Sequence, residues 1–369
     1  MTVRVALLGN SFASLVQLPA LRWAAANGAP NQVVGIAGAD AEKARATARE
    51  WSIPRATDRW EDLFDDAPDL AIVTTPVDLH APMVRAALAA GAAVLCEKPF
   101  TLDASEARAL AEEARGRLSV IDHQSRWSPW RRELAKRVAS GMAGAPWSSR
   151  VLVRWGAPKR LGMPFTWWYD AARGGGALGA LGSHMVDGVL DQFGTRFEAV
   201  TARLATYVRE REGAGGAPVD VTADEAAWIL AELEGGTPCE LHLDGMAFAG
   251  TRDAGGGNLI EWTGSEGTLR LEGDVELVWT PHGGDAEILP VEPLPTNAEM
   301  GMPDVGIFAR CLPGYLRDVV RAVAEGASEL PGAATFDDAV HVMDVLDASR
   351  RSAAEGRRIP IGEAVGGAA

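Results

Sequence analysis

Cysteine is nearly missing from this 369-residue chain, with only Cys96, Cys239 and Cys311. Their spacing offers neither a disulfide framework nor a paired metal-ligand motif, so reduced, buried thiols are expected. Histidine is also scarce. The six present do not cluster with cysteines or carboxylates at ligand spacing, which argues against a metal centre. No apolar run reaches membrane-spanning length, so no membrane partner is expected. The start, MTVRVALLGN, has no long apolar segment behind a basic stretch and reads directly as a strand. A secretory leader is therefore not expected, and a cytoplasmic location is. Basic residues are outnumbered 35 to 50, for a formal charge of −15. A chain this acidic repels polyphosphate backbones, which removes nucleic acid as an expected partner. No G-x-S-x-G or cysteine–histidine signature suggests a nucleophilic hydrolase.

Hydrophobic residues make up 47% of the chain, enough for sizeable cores, and the length suggests two domains. Apolar strands at Val3 to Leu8, Val33 to Ala37, Leu70 to Thr74, Ala93 to Leu95 and Leu118 to Asp122 alternate with helical stretches. The helical stretches are Ser14 to Asn27, Asp40 to Trp51, His80 to Ala90 and Asp103 to Ala114. That alternation predicts an α/β domain with a parallel sheet and helices on both faces, over residues 1–124. The pattern then changes. Helices are expected at Pro129 to Ser140, Gly182 to Phe193, Ile307 to Ala324 and Phe336 to Ala354. Strand-like segments are expected at Ser148 to Trp155, Phe197 to Tyr207, Ala226 to Leu233, Cys239 to Phe248, Leu259 to Thr263 and Thr268 to Thr280. Glycine-rich pieces, Glu212 to Pro218 and Asp253 to Gly257, read as loops between strands. Residues 125–369 are thus expected to form an α+β domain with an antiparallel sheet.

Two stretches carry chemistry. Gly9-Asn10-Ser11-Phe12-Ala13-Ser14 follows the first strand and opens a helix, the place of a dinucleotide phosphate turn. Only the first glycine of that fingerprint is present, and serines take the other two places. The helix amino terminus still offers N–H groups and a positive dipole end to a pyrophosphate. At the end of the second strand stands Gly38, where an NAD site usually has an acid for the ribose 2′-hydroxyl. Asp40 comes two residues later and reads equally as a helix N-cap. Lys43 and Arg45 lie nearby. The cofactor expectation is NAD(P), favouring NADP and leaving NAD open. The other stretch is Asp69 to Phe100, in which Glu97-Lys98-Pro99 places a lysine at the carboxyl end of a strand. Open α/β sheets bind ligands at such ends.

Together these pieces resemble the Gfo/Idh/MocA family of oxidoreductases, the glucose–fructose oxidoreductase and inositol dehydrogenase group. The motif of a strand into T-P, a histidine four residues after the proline and then E-K-P corresponds to Thr75, Pro76, His80, Glu97, Lys98 and Pro99. Arg126 with Pro129, the Gly141–Gly144 turn, Gly174-Gly175-Gly176, Gly182-Ser183-His184 and a G-x-E-G-x-L hairpin at 264–269 follow in the family's order. So does the closing stretch from Leu346 to Gly356. The resemblance implies a Rossmann domain plus an open-faced antiparallel sheet, with homodimer or homotetramer contacts through that sheet. It implies a nicotinamide cofactor and hydride transfer at a hydroxyl or carbonyl carbon of a sugar, polyol or related small molecule. It also implies a cis Lys98–Pro99 bond. Gly9, Ser11, Phe12, Ala13, Gly38, Asp40, Lys43, Thr75, Pro76, His80, Glu97 and Lys98 are the expected cofactor residues.

Removing hydride from an alcohol requires a base for the hydroxyl proton and benefits from a cation beside the developing alkoxide. Lys98 suits the second role and His184 the first, with a buried structural histidine as the alternative for His184. The family often carries aspartate four residues before this histidine, where this chain has Ala180. Asp187, one turn later, is the candidate for a partial replacement, with a helix-surface or helix-dipole role as the equal alternative. Trp167, Trp168, Tyr169, Arg173 and Arg126, with His184, are the expected substrate-binding set, since aromatic faces stack on sugar C–H surfaces and arginine binds oxygens. Core packing is the alternative for the aromatics, and a structural role for His80 and Glu97. Two other functions share the fold: a catalytically silent cofactor-binding sensor, and a glycosidase that uses transient oxidation.

Overall fold

The computed structural model describes residues 1–154, 161–247, 258–304 and 307–363, main chain only at 307 and 308. The loop expected at Asp253 to Gly257 and the strand ends at Trp155 and Phe248 lie outside the described residues. The chain forms two compact units: Met1–Ser128 with Leu294–Val340, and Pro129–Pro293 with the chain from His341 onward.

In the first unit, β1 (Val3–Leu8), α1 (Leu18–Ala26), β2 (Asn31–Ala37), α2 (Ala41–Trp51), β3 (Arg55–Thr57), β4 (Leu70–Val73), α3 (His80–Ala89), β5 (Ala93–Cys96), α4 (Ala104–Glu113) and β6 (Ser119–Ile121) follow in order. The strands lie side by side as β3-β2-β1-β4-β5-β6, all parallel. Both β4 (LAIV) and β5 (AVLC) are buried along their whole length, as expected of strands covered on both faces. Aspartates set the helix starts. The carboxylate of Asp40 caps α2 and that of Asp103 caps α4, each accepting first-turn N–H groups.

The second unit holds α5 (Pro129–Ala139), β7 (Pro146–Arg154), α6 (Ser183–Phe193), β8 (Phe197–Ala205), β9 (Glu210–Glu212), β10 (Pro218–Asp220), β11 (Ala226–Leu233), β12 (Pro238–Asp244), β13 (Leu259–Gly264), β14 (Gly267–Glu272), β15 (Glu276–Pro281) and β16 (Glu287–Leu289). The chain then returns to the first unit as α7 (Ile307–Ala324) and β17 (Ala334–Thr335), which pairs antiparallel with β6. Helix α8 (Phe336–Glu355) and β18 (Ile359–Pro360) close the described chain. The large sheet runs β16-β15-β14-β13-β7-β12-β11-β8-β18 and is antiparallel except between β7 and β12. Along β11, Ile229, Ala231 and Leu233 are buried while Trp228 and Leu230 are exposed, the alternation of a sheet with one covered face.

Three differences from the sequence reading stand out. The division at 124/125 does not anticipate that Leu294–Val340 rejoins the first unit. Leu312, Tyr315, Leu316, Val319 and Val320 of α7 are buried at helical spacing in one core with Leu18 and Leu21 of α1 and Val3, Val5 and Leu7 of β1. Each such side chain contributes about 1.5–3 kcal/mol when fully buried, and that gain decides where the helix lies. The glycine-rich stretch at Glu212 to Pro218 is a loop between strands as expected, but the strands it joins, β9 and β10, are not among the expected ones. The run from Thr268 to Thr280 is two strands, β14 and β15, turning at Gly273-Asp274, both in left-handed conformation. Among the described residues, no helix is long and apolar enough to cross a membrane. Among the same described residues, no group of three or more His, Cys, Asp or Glu side chains is placed to hold a metal ion.

Candidate active site

In the first unit the strand order reverses between β1 and β4, and open α/β sheets bind ligands outside the carboxyl ends of the strands at such a point. Main-chain hydrogen bonds carry the sheet one residue past its strands. Gly9 N–H donates to Ala37 O (2.9 Å), Thr74 to Leu8 O (2.7 Å), Glu97 to Val73 O (2.9 Å) and Asp122 to Cys96 O (2.8 Å). Residues 9, 74, 97 and 122 therefore form one row along the ligand-binding edge. Gly9 has φ of +121°, and a Cβ there would lie 2.4 Å from Thr74 Oγ1 and 2.7 Å from Thr74 O. Only glycine fits this turn. The cradle suits a pyrophosphate, because the first-turn amides of the following helix have no intrahelical acceptor. That helix opens with a π-helical turn, Ala13–Gln17, before α1.

At the end of β2, the carboxylate of Asp40 accepts from Glu42 N–H (2.9 Å) and Lys43 N–H (3.0 Å). These bonds, with that from Lys43 foremost, hold it below the ordinary carboxylate range. Asp40 is thus the N-cap of α2. Lys43 Nζ donates to Ser11 Oγ (3.2 Å), so its ammonium stands over the phosphate turn. Gly38 packs on Asn10, and a Cβ on it would come within 2.8 Å of Asn10 Cβ. An acid introduced at 38 would displace Asn10 as well as add charge.

The ends of β4 and β5 are braced by His80. Its Nε2 lies 2.9 Å from Thr75 O, and its Nδ1 lies 3.2 Å from Pro99 O and 3.1 Å from Phe100 O. The ring is 1% exposed, and burial pushes its pKa below the usual histidine value. The neutral ring has a single N–H, so it donates on one side only, to Thr75 O or to the Pro99 and Phe100 carbonyls, and it packs between the Thr75-Pro76 turn and the loop after Lys98, where the Lys98–Pro99 bond is cis. Its replacement by alanine is expected to cost about 1–3 kcal/mol, the price of stranding buried carbonyls, read from urea unfolding. The sign with pH follows from the lowered pKa. The unfolded chain takes up a proton that folded His80 resists, so stability declines as pH falls below about 6.5. His80→Gln is expected to lose part of that decline, and an identical pH dependence in the variant would contradict the assignment.

Beside this brace lies a buried polar cluster. Glu97 Oε2 accepts the Lys98 N–H (3.2 Å), and Asp122 Oδ2 accepts from Gln17 Nε2 (2.8 Å). Both carboxyls are buried. Burial, followed by the charge of Asp122, pushes Glu97 up to about 8. Burial pushes Asp122 up to about 6.

In the second unit, Gly174-Gly175-Gly176 folds back on the Trp167–Tyr169 turn. Gly175 N–H donates to Asp170 O (3.0 Å) and Gly176 N–H to Trp168 O (2.9 Å). A Cβ on Gly175 would strike the carbonyl oxygens of Trp168 (2.4 Å) and Trp167 (2.6 Å). A second π-helical turn, Leu178–Gly182, leads into α6 and His184. Asp224 caps it, its Oδ2 accepting from Leu178 N–H (2.7 Å), and burial raises its pKa. Ala180 lies in that turn, and His184 is buried, 8% exposed.

The expected substrate set is placed as follows. Trp167 and Trp168 are half-buried and meet edge to face, ring centres 6.0 Å apart. Arg173, also half-buried, closes the short helical turn Ala171–Arg173. Tyr169 is packed inside, with the Arg211 guanidinium 3.9 Å above its ring and Arg211 paired to Glu225 (2.8 Å). Arg126, in the first unit, is buried with its guanidinium 3.3 Å from Asp338. Asp338 and Thr335 in turn cap α8 reciprocally. Sequence reasoning missed Gln17, Asp122 and Asp224. Asp122 alone left a trace, as an acid closing an apolar strand.

A parallel sheet whose strand order reverses at a glycine-only turn is the architecture of a Rossmann-type dinucleotide-binding unit. Residues 3–121 match the oxidoreductase family with an NAD-binding Rossmann fold, and residues 131–270 match the GFO/IDH/MocA C-terminal domain. An uncharacterised oxidoreductase of Synechocystis sp. is 30% identical over 282 residues, 73% of this chain and 71% of its own. The D-apiose dehydrogenase of Paraburkholderia graminis is 29% identical over 277 residues, 74% of this chain and 68% of its own. The crystal structure of an oxidoreductase domain protein from Kribbella flavida covers 98% of this chain and 100% of its own, with a TM-score of 0.83 and 28% identity. The chain belongs to the Gfo/Idh/MocA family.

Proposed function

We propose that this protein is an NAD(P)-dependent dehydrogenase or reductase acting at a hydroxyl or carbonyl carbon of a sugar, polyol or related hydroxylated small molecule. The observation that carries the reading is the row at the strand ends. It sets a glycine-only phosphate turn and the strand-end Lys98 on one edge of one sheet. The sugar-directed relative supports the substrate class.

The cofactor supplies the hydride acceptor or donor when bound; the rest falls to the chain's own residues. Lys98 places a positive charge where an alkoxide develops and lowers the cost of that charge. His184 takes up the hydroxyl proton. The first-turn amides of Ser11, Phe12 and Ala13 hold the pyrophosphate, with Thr75 and Pro76 bordering the site. Arg126, Trp167, Trp168 and Arg173 complete the proposed substrate set, while Tyr169, packed inside beneath Arg211, falls to the core-packing alternative. Trp167 and Trp168, both half-buried, are the ones among them suited to stacking on a sugar face. The protein acts in the cytoplasm as a homodimer or homotetramer through the sheet face bearing Trp228 and Leu230.

For the cofactor we infer a preference for NADP. No carboxylate stands at Gly38, and the Lys43 ammonium sits at Ser11 Oγ. A charge-assisted contact to a 2′-phosphate is worth about 1.5–3 kcal/mol. Lys43→Ala is thus expected to raise the Kd for NADPH about tenfold or more and to leave that for NADH nearly unchanged. Fluorescence titration measures both, and an unchanged ratio would remove Lys43 from cofactor selection. Turnover is tested by following nicotinamide absorbance with NAD or NADP across aldoses, polyols and glycosides. Net reduction with a free sugar or polyol is the expected result. Glycoside cleavage without net cofactor change would contradict it.

A further inference from the structure

The buried cluster behind Lys98 holds more polar atoms than bare carboxylates can satisfy. Glu97 Oε1 and Asp122 Oδ1 are both buried, and as two carboxylates neither meets a donor. Glu97 and Asp122 stand one residue past the paired Cys96 and Ile121 of the neighbouring strands β5 and β6; two negative charges there out of water are costly, and a single proton held by the two carboxyls removes one of them. The remaining oxygens are already committed: Glu97 Oε2 to the Lys98 N–H, and Asp122 Oδ2 to Gln17 Nε2. Gln17 closes the π-helical turn that follows the phosphate turn, and π-helical turns are common at functional sites. Among the described residues, the titratable groups facing the pair are Lys98, whose charge favours the ionised carboxylates, and Cys96, whose thiol is pushed up by burial and then by the charge of the pair. From the helix side the facing group is the neutral Gln17.

We propose that Glu97 and Asp122 share one proton as a buried acid–carboxylate pair that fixes the main chain presenting Lys98. Asp122 and Gln17 are thereby positioning residues for the reaction. The cluster forms a continuous chain from the cofactor helix to Lys98: Gln17 amide, Asp122 carboxyl, shared proton, Glu97 carboxyl, Lys98 N–H. The kinetic half of this inference rests on the oxidoreductase reading; the shared proton does not.

The test is a pH titration of the full chain, labelled with 13C in Asp and Glu carboxyls and 15N in lysine, as wild type and as Asp122→Asn. Asn keeps the size of Asp and an acceptor for Gln17. In the wild type, one Asp and one Glu carboxyl are expected to titrate together in two steps, near pH 6 and near pH 8. The Lys98 amide resonance should follow both. In the variant the Glu97 step moves to lower pH, and the Lys98 amide moves with it. Both carboxyls ionising in the ordinary range near pH 4, or a Lys98 amide that ignores them, would overturn the proposal. In turnover, Asp122→Asn and Gln17→Leu are each expected to lower kcat on the order of tenfold or more with little change in the KM for cofactor. Asp122→Asn should also displace the pH profile. Wild-type kcat and pH profile in Asp122→Asn would remove the positioning role. Should the wild type oxidise no sugar or polyol, the functional reading fails, and the titration alone still decides the pair and its hold on Lys98.

Discussion

Lys98→Ala is expected to lower kcat on the order of a hundred- to a thousandfold while moving the dinucleotide Kd by about twofold at most. The size follows from where the charge acts. A cation aimed at developing negative charge in a site shielded from water stabilises the transition state far more than the ground state. Lys98 stands one residue past Glu97, which continues the sheet through its bond to Val73 O. Its main chain is pinned on one side by the buried Glu97 carboxyl and on the other by the loop against which His80 packs. So much buried structure converging on one lysine's backbone is hard to account for by a surface role. Stopped-flow turnover and calorimetric binding, taken together on wild type and variant, check the prediction. An alanine variant with comparable kcat would remove Lys98 from the chemistry.

The second large effect belongs to His184. Its replacement by alanine is expected to reduce kcat/KM between about a hundred- and ten-thousandfold, the range of a lost general base. The competing account is a structural histidine, buried near the start of α6. That account predicts a different pattern: lower stability and a nearly normal rate per folded molecule. His184→Asn separates the two, since an amide keeps a hydrogen bond and cannot carry the proton. A fast, well-folded His184→Asn enzyme would assign the histidine to packing. The absence of a carboxylate at Ala180 sharpens this test, because the usual acid partner cannot share the load from that position.

Much of the first unit could be read directly from the residues. Strands buried on both faces must be nearly uninterrupted apolar runs, and β1, β4 and β5 are. Helix starts at Asp40 and Asp103 follow from cap chemistry. The tight turn after β1 was marked in the sequence by Gly9, and the contact with Thr74 explains why a glycine is needed there. What could not be read depends on distant partners or on hydrogen-bond register. Helix α7 has an ordinary amphipathic pattern, and nothing local says which core it joins. Strands β9 and β10, ERE and PVD, are short and polar, so no periodicity marks them. The π-helical turns before α1 and α6 differ from ordinary helix only in bonding register, to which composition is blind. The Glu97–Asp122 pair requires β5 and β6 to be neighbours, a fact of topology. The aromatic stretch at 167–169 divides in a way only burial can decide: Tyr169 is core beneath Arg211, while its two neighbours keep part of their surface.

The most direct test of the central claim is isotopic. The protein is incubated with oxidised NAD or NADP and a sugar or polyol deuterated at the reacting carbon, and the recovered nicotinamide is examined by mass spectrometry. Direct hydride transfer predicts one deuterium on the nicotinamide ring for each substrate oxidised. A dinucleotide that binds but never gains deuterium across a broad panel of sugars and polyols, or one that does not bind at all, would contradict the account.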